Sequence, residues 1–142
     1  MSERPSIFTR IIDGEIPSHR VYEDDFVVAF LDVGPLSRGH LLVVPRQEKA
    51  HLHELSDDTA AALGRALPRL ASALMRATGC RAYNVLVNSG AEAGQVVMHV
   101  HVHLIPKHDD GSGLRTQWRG GTLEAQEGAA IAASIRAALD AA

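Results

Sequence analysis

The chain has 142 residues, 46% hydrophobic and 22% charged, with a formal net charge of −3; this is the size and composition of one soluble globular domain, not of a disordered segment. The charge argues against a nucleic-acid binder, whose affinity needs a basic surface, but leaves room for a small phosphorylated ligand held by backbone amides and histidines. The single Cys80 excludes an intramolecular disulfide and suits a reducing compartment, and with neither an apolar leader at the start nor a stretch of membrane-spanning length, the expected location is the cytoplasm, away from membranes.

Ile7, Phe8, Ile11 and Ile12 recur at helical spacing before Gly14, which predicts a short helix over about residues 5 to 13. Arg20 to Glu23 and Phe26 to Asp32 read as two strands joined by a tight turn at Asp24-Asp25. After a loop bracketed by Gly34-Pro35 and Arg38-Gly39, the run His40 to Val44 is nearly continuous in apolar residues and is stopped by Pro45; such a run belongs in the middle of a sheet. A long helix follows over about 57 to 78, with Ser56 or Asp57 as N-cap and Gly79 as its end, and Pro68 should kink or split it. Tyr83 to Val87 and Val96 to Ile105 are two more β-rich segments, joined by the loop 88–95. Beyond Pro106 a polar, Gly-rich stretch leads to an Ala-rich helix over about 123 to 139. The class is α+β, with a mostly antiparallel sheet of about five strands, one long crossover helix and a helix at each end. Residues 1–106 form the expected domain, and 107–142 an extension packed on it or on a partner.

The pattern that asks for chemistry is His99-Val100-His101-Val102-His103, three of the chain's eight histidines in five residues. On a strand the three imidazoles share one face and Val100, Val102 and Leu104 the other. One metal ion cannot take all three, because the first and third lie roughly 13 Å apart along a strand while zinc–nitrogen bonds are about 2.1 Å. A mononuclear site would use two of them with ligands from elsewhere, and the sequence shows no CxxC, no HExxH and no acidic residue placed to complete the set. Plain core or surface histidines fit poorly, since unpaired buried imidazoles are costly. Nucleophilic chemistry explains the spacing best: a neutral imidazole whose other nitrogen donates to a fixed acceptor attacks well near pH 7. His101, the central one, would attack a phosphorus, and Gly94 and Gln95 just upstream could bring an amide to its oxygens.

These residues resemble the histidine-triad (HIT) superfamily, in particular its bacterial members akin to the HINT and Fhit nucleotide hydrolases. His99 to Ile105 fits the HφHφHφφ signature, and Ile7-Phe8, Ile11-Ile12, Gly14-Glu15-Ile16-Pro17, Val21-Tyr22-Glu23-Asp24, Ala29-Phe30-Leu31-Asp32, Gly39-His40, Val43-Val44-Pro45 and Gly94-Gln95 follow the family pattern in order, from about residue 6 to residue 106. The resemblance implies a HIT-like fold and assigns roles. His101 would be the nucleophile that forms a nucleotidyl-histidine intermediate, flanked by His99 and His103, with His40 a fourth histidine beside them. Asp32 would hold the ribose hydroxyls, and Asn88 would face the nucleotide. Ile7, Phe8, Ile11, Ile16, Phe30 and Val33 would form the slot for the base, although each equally suits ordinary core. A homodimer, paired through the long helix and a sheet edge, is implied as well.

The expected activity is hydrolysis or transfer at the α-phosphorus of a purine nucleotide, either a nucleoside phosphoramidate or an adenylated compound. Hydrolysis of dinucleoside polyphosphates and non-catalytic nucleotide binding are the alternatives. Two departures from the family pattern matter. Val96 stands where many relatives have Ser or Thr, so no hydroxyl is available there to a basic leaving group. Ser6, Thr9 and Glu48 stand where many bacterial members hold a structural zinc, so neither a metal nor a cofactor is expected. His51 and His53 read as part of a solvated loop. Trp118 either reaches the partner's site or anchors the tail, and Arg115 and Arg119 are candidate polyphosphate contacts.

Overall fold

In the computed structural model, which describes residues 4–142, the chain forms α1 (Ile7–Ile12), β1 (Arg20–Glu23), β2 (Val27–Leu31), β3 (Leu41–Pro45), α2 (Asp57–Thr78), β4 (Ala82–Leu86), β5 (Val102–Lys107) and α3 (Ala125–Asp140), with short 3-10 turns at Leu52–Glu54 and Ala91–Ala93. The strands make one antiparallel sheet in the order β1-β2-β3-β5-β4. This is the α+β arrangement that the sequence predicts. No helix is long and apolar enough to cross a membrane among the described residues.

Local chemistry sets the ends of the elements. Asp24 turns the β1–β2 hairpin, its Oδ1 accepting from the N–H groups of Phe26 and Val27 at 2.7 and 2.8 Å. Ser56 caps α2 by accepting from the Thr59 N–H at 3.2 Å, and Gly79 ends it in the left-handed conformation, φ 76°. Pro68 does not split α2, which runs through it as one helix. The carbonyl deprived of its partner is that of Gly64, and both residues face solvent, where that carbonyl stays hydrated.

The sheet is covered on two faces, and alternation decides which side chain serves which. Val27 and Ala29 of β2, Leu41 and Val43 of β3, and Val102 and Leu104 of β5 pack against Ala62, Leu63, Ala66, Leu70 and Leu74 of α2. Val28, Phe30, Leu42 and Val44 point the other way, onto Phe8 of α1 with Ile11, Ile12 and Val97 around it. β3 is buried along its whole length, as its apolar run predicts. Each such side chain contributes about 1.5–3 kcal/mol by leaving water.

One expected strand is shorter than its sequence pattern. The run from Val96 to Ile105 reads as a single strand, yet the ladder begins at Val102 and extends to Lys107. The β3–β5 register pairs Leu42 with His103 and Val43 with Val102, so Pro45 would come to stand opposite Val100. Proline has no N–H to give a ladder. The Val100 N–H instead donates to the Lys49 carbonyl at 2.8 Å. His99 and His101 therefore lie on irregular backbone, and only His103 is on the strand. At the other end of the chain α3 buries none of its residues, and Trp118, Leu123, Ile131, Ile135 and Leu139 are exposed.

Gly39 fixes how closely α2 approaches the start of β3. Its φ is +97°, and a Cβ there would lie 2.9 Å from Thr78 Cγ2 and 3.0 Å from Leu74 Cδ1. Gly39→Ala therefore combines backbone strain with overpacking, and is expected to cost about 2 kcal/mol. Thermal unfolding should show a Tm lower by about 5 °C or more, and a Tm within about 1 °C of the native value would contradict this packing.

Candidate active site

The strand register brings distant residues together. β2 and β3 pair Phe30 with Leu42 and Leu31 with Leu41, so the next step sets Asp32 opposite His40, and the Asp32 N–H donates to the His40 carbonyl at 2.9 Å. β5 places His103 beside Leu42, diagonal to His40 and on the α1 face of the sheet. A cavity of about 540 Å³ opens on that face. Ile7, Phe8, Ile11, Ile16, Phe30 and Val33 form its apolar wall, while Asp32, His40, Asn88, Gly94, His101 and His103 line its polar end. Pro17, Ser18, Leu36, Leu86 and Val97 also line it; of these, Pro17 falls in the Gly14-Glu15-Ile16-Pro17 stretch that follows the family pattern.

Among the residues singled out from the sequence, Gln95, His99, Arg115, Trp118 and Arg119 stand outside the lining. Gln95 is buried and its amide is committed within the loops: Oε1 accepts from the Gly90 N–H at 2.8 Å, and Nε2 donates to the carbonyls of Ala50 and Val97 at 2.7 and 3.0 Å. Its backbone N–H donates to the Gly90 carbonyl at 3.1 Å, so neither amide of Gln95 faces a ligand. His99 is 0% exposed and lies behind Phe8, not in the cavity.

Hydrogen bonds to the backbone settle the tautomers. His101 Nδ1 lies 2.7 Å from the His99 carbonyl oxygen, which can only accept; Nδ1 therefore carries the proton and Nε2 keeps its lone pair. Nε2 makes no hydrogen bond among the described residues and is not sealed from solvent, on a side chain that lines the cavity. At His40 the Leu36 N–H donates to Nδ1 at 3.1 Å, so Nε2 carries the proton and donates to His103 Nδ1 at 2.9 Å. His103 in turn holds its proton on Nε2. Burial disfavours the charged forms of His40 and His103. It pushes His103 down to about 4, with help from the neighbouring His101 and His40, and lowers His40 against the pull of Asp32.

The fold also supplies an acidic neighbour that sequence spacing could not show. Asp32, His40 and His103 each offer one ligand atom, all within 4.8 Å of one another, and Asp32 Oδ2 lies 3.6 Å from His40 Nε2. Asp32 thus stands beside the His40–His103 hydrogen bond, and the set is a poor metal site. A metal on His40 Nε2 would move the proton to Nδ1, where it would meet the Leu36 N–H donor. The zinc that the family resemblance suggests is not supported by its donors either. Ser6 and Thr9 offer neutral hydroxyls already engaged in hydrogen bonds, Ser6 Oγ with the Thr9 N–H and Thr9 Oγ1 with Glu48.

The HIT domain family matches residues 13–110 of the chain. The adenosine 5′-monophosphoramidase hnt1 of Schizosaccharomyces pombe is 40% identical over 129 residues, 91% of this chain and 94% of that protein. The adenylylsulfatase HINT3 of Arabidopsis thaliana is 42% identical over 72% of this chain, which spans about half, 52%, of the plant protein. A crystal structure of a HIT family protein from Bacillus subtilis superposes with a TM-score of 0.89 at 36% identity, covering 94% of this chain and 96% of that one. With its triad assembled on the α1 face of the sheet and the family match covering more than half its length, the chain belongs to the HIT domain family.

Proposed function

We propose that the protein hydrolyses a purine nucleoside phosphoramidate or a related adenylated compound in the cytoplasm, through a nucleotidyl intermediate on His101. The observation that carries this reading is the held tautomer of His101, with Nδ1–H on a carbonyl and Nε2 open at a cavity shaped for a nucleoside. Two relatives are named for such reactions, one an adenosine 5′-monophosphoramidase and one an adenylylsulfatase.

The chemistry follows from the tautomers. The Nε2 lone pair attacks the α-phosphorus, an N–P bond forms, and the bond to the leaving group breaks with its electron pair, the departing amine taking a proton from solvent at the open cavity mouth. Positive charge then develops on the imidazole, and the Nδ1–H bond to the His99 carbonyl strengthens. His103, neutral with its proton on Nε2, donates to a phosphate oxygen. Water attacks the phosphorus next and gives up a proton to solvent, the N–P pair returns to Nε2, and the nucleoside monophosphate leaves. Asp32 Oδ1 accepts from the Gly34 N–H at 2.8 Å, which holds the carboxylate with Oδ2 turned to His40 and available to the ribose hydroxyls. The apolar wall takes the base.

Val96 lines the cavity and is 89% exposed. It has no proton to offer a departing amine, which must take one from solvent, whereas a leaving group that departs as an anion, as in a dinucleoside polyphosphate, needs none. Assays of native protein and Val96→Ser with adenosine phosphoramidate and a diadenosine polyphosphate separate the readings. The native protein should turn over the phosphoramidate faster, and Val96→Ser should raise its kcat/KM by about fivefold while leaving the polyphosphate nearly unchanged. A native preference for the polyphosphate would select the alternative substrate. AMP binding without turnover of either compound would make the protein a binding module.

We also propose a homodimer. β4 leaves one edge of the sheet unpaired and exposes Tyr83 and Val85 beside it, a surface that a second copy can cover. Light scattering should give the mass of two chains; a single-chain mass at micromolar concentration would remove the proposal.

A further inference from the structure

Ser6, where the family resemblance suggests a zinc ligand, has a different use. Its Oγ accepts from the Thr9 N–H at 3.0 Å as the N-cap of α1 and lies 2.5 Å from Nδ1 of His99. On the far side of that ring, Nε2 is 2.8 Å from the Pro45 carbonyl oxygen. A carbonyl only accepts, so Nε2 carries the proton of His99 and Nδ1 is an acceptor. The Ser6 hydroxyl is therefore its donor.

Glu48, in the loop after β3, fastens the arrangement from outside. One carboxylate oxygen accepts both the Ser6 N–H at 2.8 Å and the Thr9 hydroxyl at 2.6 Å. These bonds, the Thr9 hydroxyl foremost, hold the carboxyl below the usual range, so the clamp is an anion at neutral pH. The bonds that tie Glu48 and His99 to Ser6 and Thr9 span 39 to 93 positions.

None of Ser6, Thr9, Glu48 and His99 lines the cavity, yet two contacts lead from them to His101. The carbonyl that holds His101 Nδ1 belongs to His99. Phe8, in the first turn of α1, meets both rings edge-on, with centroids 5.9 Å from His99 and 4.8 Å from His101. A His99 ring free to turn or to change tautomer would move both supports of His101.

We propose that Ser6, Thr9 and Glu48 form a metal-free positioning network that holds His99 in one tautomer and, through its carbonyl and Phe8, keeps Nε2 of His101 aimed into the cavity. The proposal rests on His101 being the nucleophile. It makes Ser6 the central positioning residue, with a role separable from capping α1, because glycine caps a helix nearly as well as serine and has no hydroxyl to donate.

The test compares Ser6→Gly, Ser6→Thr and Glu48→Ala with native protein, using steady-state kinetics on adenosine phosphoramidate and ¹⁵N-edited NMR of the imidazole nitrogens. Native His99 should show one tautomer, protonated on Nε2. Ser6→Gly should lower kcat by about tenfold, with KM within about twofold, and give His99 mixed tautomers; Ser6→Thr should restore both. Glu48 is exposed, so Glu48→Ala keeps the test open should Ser6→Gly fail to fold, and it should shift kcat and the His99 signals the same way. Native kcat with native His99 signals in a folded Ser6→Gly or in Glu48→Ala would overturn the network. So would a loss in Ser6→Gly that Ser6→Thr does not restore. His101→Ala is the control on the underlying reading. If it retains turnover, the nucleophile assignment fails, whereas an inactive His101→Ala beside a fully active Ser6→Gly refutes the network alone.

Discussion

A pleated strand sends alternate side chains to opposite faces, and the site depends on how that alternation is locked across β2, β3 and β5. One face of these strands is filled by α2 and the other is only partly covered by α1. The valines and leucines that bury against α2 fix the register, since a slip of one residue would carry each of them to the wrong side. With the register fixed, Asp32, His40 and His103 have no choice of face. They meet because Leu31 pairs with Leu41 and Leu42 with His103.

The histidines are then differentiated by what their nitrogens touch. His101 and His40 each bond a backbone group through Nδ1, but with opposite polarity: a carbonyl accepts from one and an N–H donates to the other. One ring is left with a bare Nε2 and the other with a proton to pass along the row to His103. Burial disfavours the charged forms of His40, His99 and His103, so their hydrogen-bonding roles persist at neutral pH. Four imidazoles of identical chemistry thus become an open lone pair at His101, a donor pair at His40 and His103 and a buried ring at His99, through contacts that involve no ligand.

Much of this was legible in the sequence. The apolar run at Leu41 to Val44 and the caps at Ser56 and Gly79 are local signals, and local signals determine elements. The end of β5 was not legible, because it depends on Pro45 standing opposite Val100 across the sheet. The role of Gln95 was misread for a similar reason: its neighbours Gly90, Ala50 and Val97 take every polar atom of its amide, and two of them are local while Ala50 is not. The family resemblance puts Asp32 at the nucleotide, but its position beside His40 depends on the β2–β3 register. Ser6 and Glu48 could be noticed as departures from a metal site, but the bond from Ser6 to His99 spans 93 positions and requires the folded chain.

The central claim is that the free Nε2 of His101 becomes covalently bonded to the α-phosphorus during turnover. Intact-protein mass spectrometry of acid- or base-quenched samples, taken in the first turnover with a purine nucleoside phosphoramidate and followed by peptide mapping, reads this directly. The account predicts one nucleoside monophosphoryl group per chain, mapped to His101 and lost as product accumulates. Product formation at full rate with no adduct at any early time, or an adduct on another residue, would contradict it.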